Sequence, residues 1–140
     1  DFREVSTALK MITDIERFGD QAADIGDLVY TIPGEAYIKN LTHITAMGEL
    51  AIKMVRESVN SFINNDEALA DEVIALDDQM DDLFIEVKTE LIELIKKDGN
   101  NGDQGIELMM VAKYLERIGD HAVNVAEWTK YNETGVHQKF

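Results

Sequence analysis

Apolar residues recur at helical spacing through nearly the whole of this chain, and only three short stretches break the pattern. Between Phe2 and Tyr30 they fall at Val5, Leu9, Ile12, Ile15, Ile25, Leu28 and Val29, the three-and-four rhythm of one helical face. "TIPG" (31–34) ends that run, because the residue before a proline is pushed away from helix and a glycine follows. A second helix is predicted from about Glu35 to Ile63, through Ile38, Leu41, Ile44, Met47, Leu50, Ile52, Met54, Val55, Val59 and Phe62. "NND" (64–66) reads as a short turn with Asn65 or Asp66 as N-cap. The third helix is expected over 66–97, through Leu69, Val73, Leu76, Met80, Leu83, Val87, Leu91, Leu94 and Ile95, closing on Lys96 and Lys97. Positive charge there suits the helix dipole. "DGNNGDQG" (98–105) reads as a loop by composition, and a fourth helix as running from about 103 to 131. Residues 132–140 are expected to fray.

Four long helices joined by short turns have one economical arrangement, an all-α antiparallel bundle. At 140 residues the chain can bury a real core. A single proline and few aromatics argue against a β-sandwich, and with no cysteine there is neither a disulfide framework nor a thiolate metal site. The net charge of −15 opposes non-specific binding to nucleic acid or to an anionic membrane. Cations and basic protein surfaces suit it better. No apolar run approaches the length of a membrane span. The chain opens on Asp1, almost inside a helical pattern, and so reads as part of a longer protein.

Shifting the sequence by one hundred positions lays the first helix over the fourth. "IERFGDQAADIGDLVY" (15–30) aligns with "LERIGDHAVNVAEWTK" (115–130). Glu16, Arg17, Gly19, Asp20 and Ala22 match Glu116, Arg117, Gly119, Asp120 and Ala122, while Asp24 becomes Asn124 and Asp27 becomes Glu127. Unrelated amphipathic helices share leucines, not an ordered E-R-x-G-D-x-A string, so a duplicated unit is implied. Within the motif Glu116, Asp120 and Asn124 follow one another at four-residue steps and share a face. In the third helix "ALDDQMDDLF" (75–84) stacks Asp77 on Asp81 and Asp78 on Asp82. Stacked carboxylates repel by roughly 0.2–0.5 kcal/mol per pair unless a cation relieves them. Such residues are commonly a solvated face, with Arg17 or Arg117 as counter-ions. Gly19 and Gly119 cost about 1 kcal/mol each inside a helix, which close approach of a neighbouring helix would offset. Trp128 and the six methionines read as core, and His43 as a polar residue rather than a ligand.

The paired E-R-x-G-D strings, the ending "NVAEW" and the helical pattern between them resemble the PhoU family. That resemblance covers essentially the whole chain. It implies two tandem three-helix bundles, of which residues 1–31 would be the last helix of the first, residues 35–131 the complete second, and 132–140 a tail. It also implies carboxylate-rich metal sites. The matching positions are Asp77, Asp81, Glu116 and Asp120, with Asn124 a turn beyond, and Glu16, Asp20 and Asp24 as the half-site of the first bundle. Oxygen ligands suit hard divalent cations or carboxylate-bridged iron, and iron, zinc or another divalent cation remains open. The function implied is that of a non-enzymatic cytoplasmic regulator of phosphate uptake and starvation signalling. It would contact the ATPase of a phosphate ABC transporter and the associated sensor histidine kinase. The alternative is a regulatory domain of a sodium/phosphate cotransporter. A di-metal bundle enzyme fits less well, since no Glu-x-x-His pair is present. Nothing supports catalysis by serine or histidine. The apolar strip of the first helix predicts self-association as a two-fold dimer.

Overall fold

The computed structural model describes residues 42–134 continuously and, ahead of them, residues 2, 5, 6, 9, 10, 13, 16, 17 and 20, all helical. Three long helices follow in order: α1 (Thr42–Ile63), α2 (Glu67–Lys97) and α3 (Gly102–Thr134), with a 3-10 turn at Gly99–Asn101. They are the predicted second, third and fourth helices. No strand occurs among the described residues. The "TIPG" break, residues 35–41 of the predicted second helix and the end of the tail lie outside the described residues.

The turn after α1 is built from hydrogen bonds that no glycine is needed to permit. Asn65 takes a left-handed φ of 50°, which asparagine tolerates better than most residues. Its N–H donates to the Phe62 carbonyl at 3.3 Å and that of Asp66 donates to Ser61 at 2.8 Å, the paired bonds of a Schellman close. Asp66 then caps the next helix, its Oδ1 accepting from the Leu69 N–H at 3.0 Å. One residue thus ends α1 and starts α2.

At the other end Asp98 does the same work. Its N–H donates to the Leu94 carbonyl at 3.3 Å, and its Oδ1 accepts from the Asn100 N–H at 3.0 Å. Asn101 Nδ2 also donates to Leu94 O, at 3.0 Å. The connection is therefore shorter than "DGNNGDQG" suggested. Asp103, Gln104 and Gly105 belong to α3. Gly105 is there for proximity: a Cβ built on it would lie 2.7 Å from Ile95 Cδ1.

The three helices pack pairwise around one core. Met47 and Met54 of α1 and Val73, Met80 and Val87 of α2 are almost wholly buried, against Val111, Ala112, Ala122 and Ala126 of α3. Each buried side chain of this size contributes about 1.5–3 kcal/mol. The small residues of α3 leave room for methionines, whose unbranched chains fill uneven gaps. Gly119 meets this cluster without crowding it: an added Cβ would lie 3.5 Å from Met54 and Met80 atoms. The close approach expected at Gly119 is therefore found at Gly105 instead, while Gly19 lies outside the described residues. Two further expectations are corrected. Ile52 is 60% exposed and Met110 44% exposed, because each points off the seam between its neighbours. Trp128 is half-buried, edge-on to Tyr131 at 5.1 Å. No described helix is long and apolar enough to cross a membrane.

Candidate functional site

The four-residue stacks on α2 and α3 come together where the helices face one another. Asp77 is half-buried, and its buried Oδ1 has no hydrogen-bond partner. Burial above all, then the charges of Asp81, Asp120, Asp78 and Glu116, push its carboxyl up to about 6. Asp81, more exposed, is raised by burial and by Glu116, Asp78 and Asp82. Asp120 is raised by burial and by Glu116 and Asp81, and lowered by His121 and Lys113. Asp77, Asp81, Glu116 and Asp120 thus feel one another across two helices. This follows from helix geometry: two i, i+4 pairs on antiparallel helices form a quartet once the helices align.

The quartet carries more negative charge than its neighbours neutralise. Lys113 reaches Glu116 at 2.9 Å while also lying over the Phe84 ring, 5.1 Å from its centroid. Arg117, expected as a counter-ion, instead lies 5.9 Å from the Tyr114 ring centroid. Among the described residues no three acidic or histidine side chains are already converged tightly enough to hold a metal ion. The donor set nonetheless suits one: oxygen ligands, mutual repulsion and an orphaned buried oxygen are what a hard cation relieves. Closing on it would take rotamer changes in the exposed members.

The remaining predicted positions are distributed less tightly. Asn124 is half-buried on α3, one turn beyond Asp120. Glu16 and Asp20 are exposed on the N-terminal helical segment, and Asp24 lies outside the described residues. Asp20 shares a pocket with Arg17, Arg117, Asp120 and His121, so the two copies of the repeated motif meet there.

Two groups escaped sequence reasoning. His43 on α1 bridges two glutamates of α2, with Nε2 2.8 Å from Glu86 Oε2 and Nδ1 against Glu90 Oε1. The carboxylates sit on opposite ring nitrogens, so one metal ion could not take both with the imidazole. The i, i+4 spacing of Glu86 and Glu90 was the only available signal. Glu127 is 3% exposed, and burial pushes it up to about 7. The repeat placed it opposite Asp27 without indicating its burial.

Comparison with known proteins agrees with this architecture. A family model described as the PhoU domain matches residues 44–129. A protein of Clostridium acetobutylicum called "Phosphate-specific transport system accessory protein PhoU homolog" is 35% identical over 96% of this chain and 62% of its own length. A protein of the same name from Aquifex aeolicus is 37% identical over 84% of this chain and 53% of its own length. Among solved structures, the phosphate transport system regulatory protein PhoU from Streptococcus pneumoniae superposes with a TM-score of 0.86 at 26% identity, over 100% of this chain and 66% of that one. PhoU from Pseudomonas aeruginosa gives 0.86 at 27% identity, over 97% and 66%. The chain spans roughly half to two thirds of the length of these relatives. With a helical bundle of matching shape and a family match over most of its length, the chain belongs to the PhoU family.

Proposed function

We propose that this chain is part of a non-enzymatic regulator of phosphate uptake and phosphate-starvation signalling. It would act in the cytoplasm by contacting the ATPase of a phosphate ABC transporter and the associated sensor histidine kinase. The observation that carries this is the 35% identity over 96% of the chain to a protein named as a phosphate-specific transport accessory protein. That name favours the accessory reading over a cotransporter-fused domain. An acidic helical surface, at a net charge of −15, suits a basic partner face. Pull-down of the transporter ATPase by the full-length protein at near-physiological salt tests the contact, and absence of binding would count against it.

Asp77, Asp81, Glu116 and Asp120, with Asn124 at their edge, form the proposed metal site, and Glu16, Asp20 and Asp24 the proposed half-site of the first repeat. Iron, zinc or another divalent cation would neutralise the quartet and fix α2 against α3 at a surface where partners dock. Asp77 Oδ1, buried and without a hydrogen bond, supports this. Elemental analysis of the protein, and of an Asp81→Asn/Asp120→Asn variant with its helicity checked, tests it. Metal content should fall in the variant. Unchanged content would make the quartet a solvated face.

Self-association as a two-fold dimer is part of the same proposal. Phe2, Val5 and Leu9 are helical and 87%, 58% and 62% exposed, and their spacing puts them on one face. That is an apolar stripe of the kind that marks an interface.

A further inference from the structure

Two of the chain's four arginines, Arg17 and Arg117, line a single pocket with Asp20, Asp120 and His121. They occupy the same position in the two copies of the E-R-x-G-D string, so the duplication that built the chain also built the pocket. Among the described residues neither arginine takes part in an ion pair. The recorded contact of Arg117 is the Tyr114 ring. The charges with the largest effect on Asp120 are Glu116, Asp81, His121 and Lys113. Two guanidiniums at one pocket, with no ion pair to either among the described residues, are a local exception in a chain whose net charge is −15.

The chemistry of the lining narrows the ligand. A guanidinium presents a planar fork of donors that matches the oxygens of a tetrahedral anion. A carboxylate beside it repels a fully ionised anion but accepts a hydrogen bond from one that keeps a proton. Inorganic phosphate keeps at least one proton near neutrality, whereas sulfate keeps none. We propose that this pocket binds inorganic phosphate, with Arg17 and Arg117 donating to its oxygens and Asp20 accepting from its P–O–H group. Asp20 is then the discriminating residue, since a site built around a hydrogen bond disfavours a ligand that cannot make it. Four of the five lining residues are exposed, so binding is weak, on the order of millimolar. The proposal deepens the phosphate-regulator reading and needs no transporter contact; because Asp20 and Asp120 are also proposed metal ligands, it is tested on the chelated chain, so that the two can fail separately.

The test is a titration of the chelated, ¹⁵N-labelled chain with phosphate and then with sulfate at constant ionic strength, following the arginine Nε–H resonances. The expected result is a saturable shift of two of the four signals with phosphate and a response about tenfold weaker with sulfate. Arg17→Gln and Arg117→Gln should each abolish saturation, and circular dichroism verifies that these exposed substitutions leave the helices intact. Asp20→Asn should bring the two anions to near-equal response. Equal response in the unaltered chain, or saturation that survives the paired arginine substitutions, would overturn the proposal. Tighter binding of glycerol phosphate than of the free ion would overturn the assignment to inorganic phosphate.

Discussion

Asp77 on α2 and Asp120 on α3 lie close enough that the charge of Asp120 opposes ionisation of Asp77, whose carboxyl stands at about 6, mainly through burial. A folded value above the ordinary 3.8 means that the unfolded chain releases this proton first. Stability from this group is complete below about pH 4 and is lost as pH rises through about 6. Asp77→Asn should therefore stabilise the chelated chain at pH 7.5, by about 1 kcal/mol once solvent screening of a half-exposed group is allowed for. The gain should vanish near pH 4. Thermal melts at the two pH values measure it, and a loss of stability at pH 7.5 would contradict the repulsion.

Glu127 makes a separate test in the same currency. Burial raises it from 4.5 to about 7, so its contribution falls away between those values as pH increases. Glu127→Gln keeps the shape and removes the charge. The variant should melt higher than the parent at pH 8, by about 1 kcal/mol in stability, and the two should converge below pH 5. Parallel melting curves across that range would refute the assignment.

Two of the three α3 glycines, Gly105 and Gly119, predict opposite outcomes from one substitution. Alanine gains about 1 kcal/mol of helix propensity over glycine. At Gly119 the new methyl meets Met54 and Met80 at an ordinary 3.5 Å, so Gly119→Ala should raise the melting temperature by a few degrees. At Gly105 it meets Ile95 at 2.7 and 2.9 Å, so Gly105→Ala should gain nothing or lose stability. Denaturant titrations of both variants decide it. Equal gains would show that Ile95 moves freely.

For the apolar stripe the readout is mass. Light scattering at tens of micromolar should report a dimer, and replacing Phe2, Val5 and Leu9 together by serine should give a monomer. A monomeric parent would remove the stripe from any interface.

The helices and most of the core were legible because burial repeats at a period that sequence displays. Asp66 and Lys96–Lys97 were legible because caps are local. The quartet of Asp77, Asp81, Glu116 and Asp120 could be named, but only through resemblance, since spacing within each helix says nothing about which faces meet. Gly105 fell both in the loop reading of 98–105 and in the helix expected from about 103, and the helix holds it. Glycine between polar residues looks like a loop, yet here it marks where α3 begins against Ile95. The pairing of His43 with Glu86 and Glu90, and the burial of Glu127, depend on the register between helices. No local pattern encodes that register.

The three-residue link at Asn64–Asp66 and the four-residue link at Asp98–Asn101 bear on how quickly the chain finds its structure. Short links make consecutive helices each other's nearest partners, which keeps contact order low and folding in the microsecond-to-millisecond range. Among the three long helices, the α1–α3 seam joins the most distant parts of the chain. Ser61 and Thr129 share a buried hydrogen bond of 3.1 Å there, across 68 positions. Such a contact closes after the hairpins have formed, so weakening it should act on unfolding alone. In stopped-flow measurements Ser61→Ala should speed unfolding and leave the folding rate nearly unchanged. A slowed folding arm would mean that the seam, and not the hairpins, sets the pace.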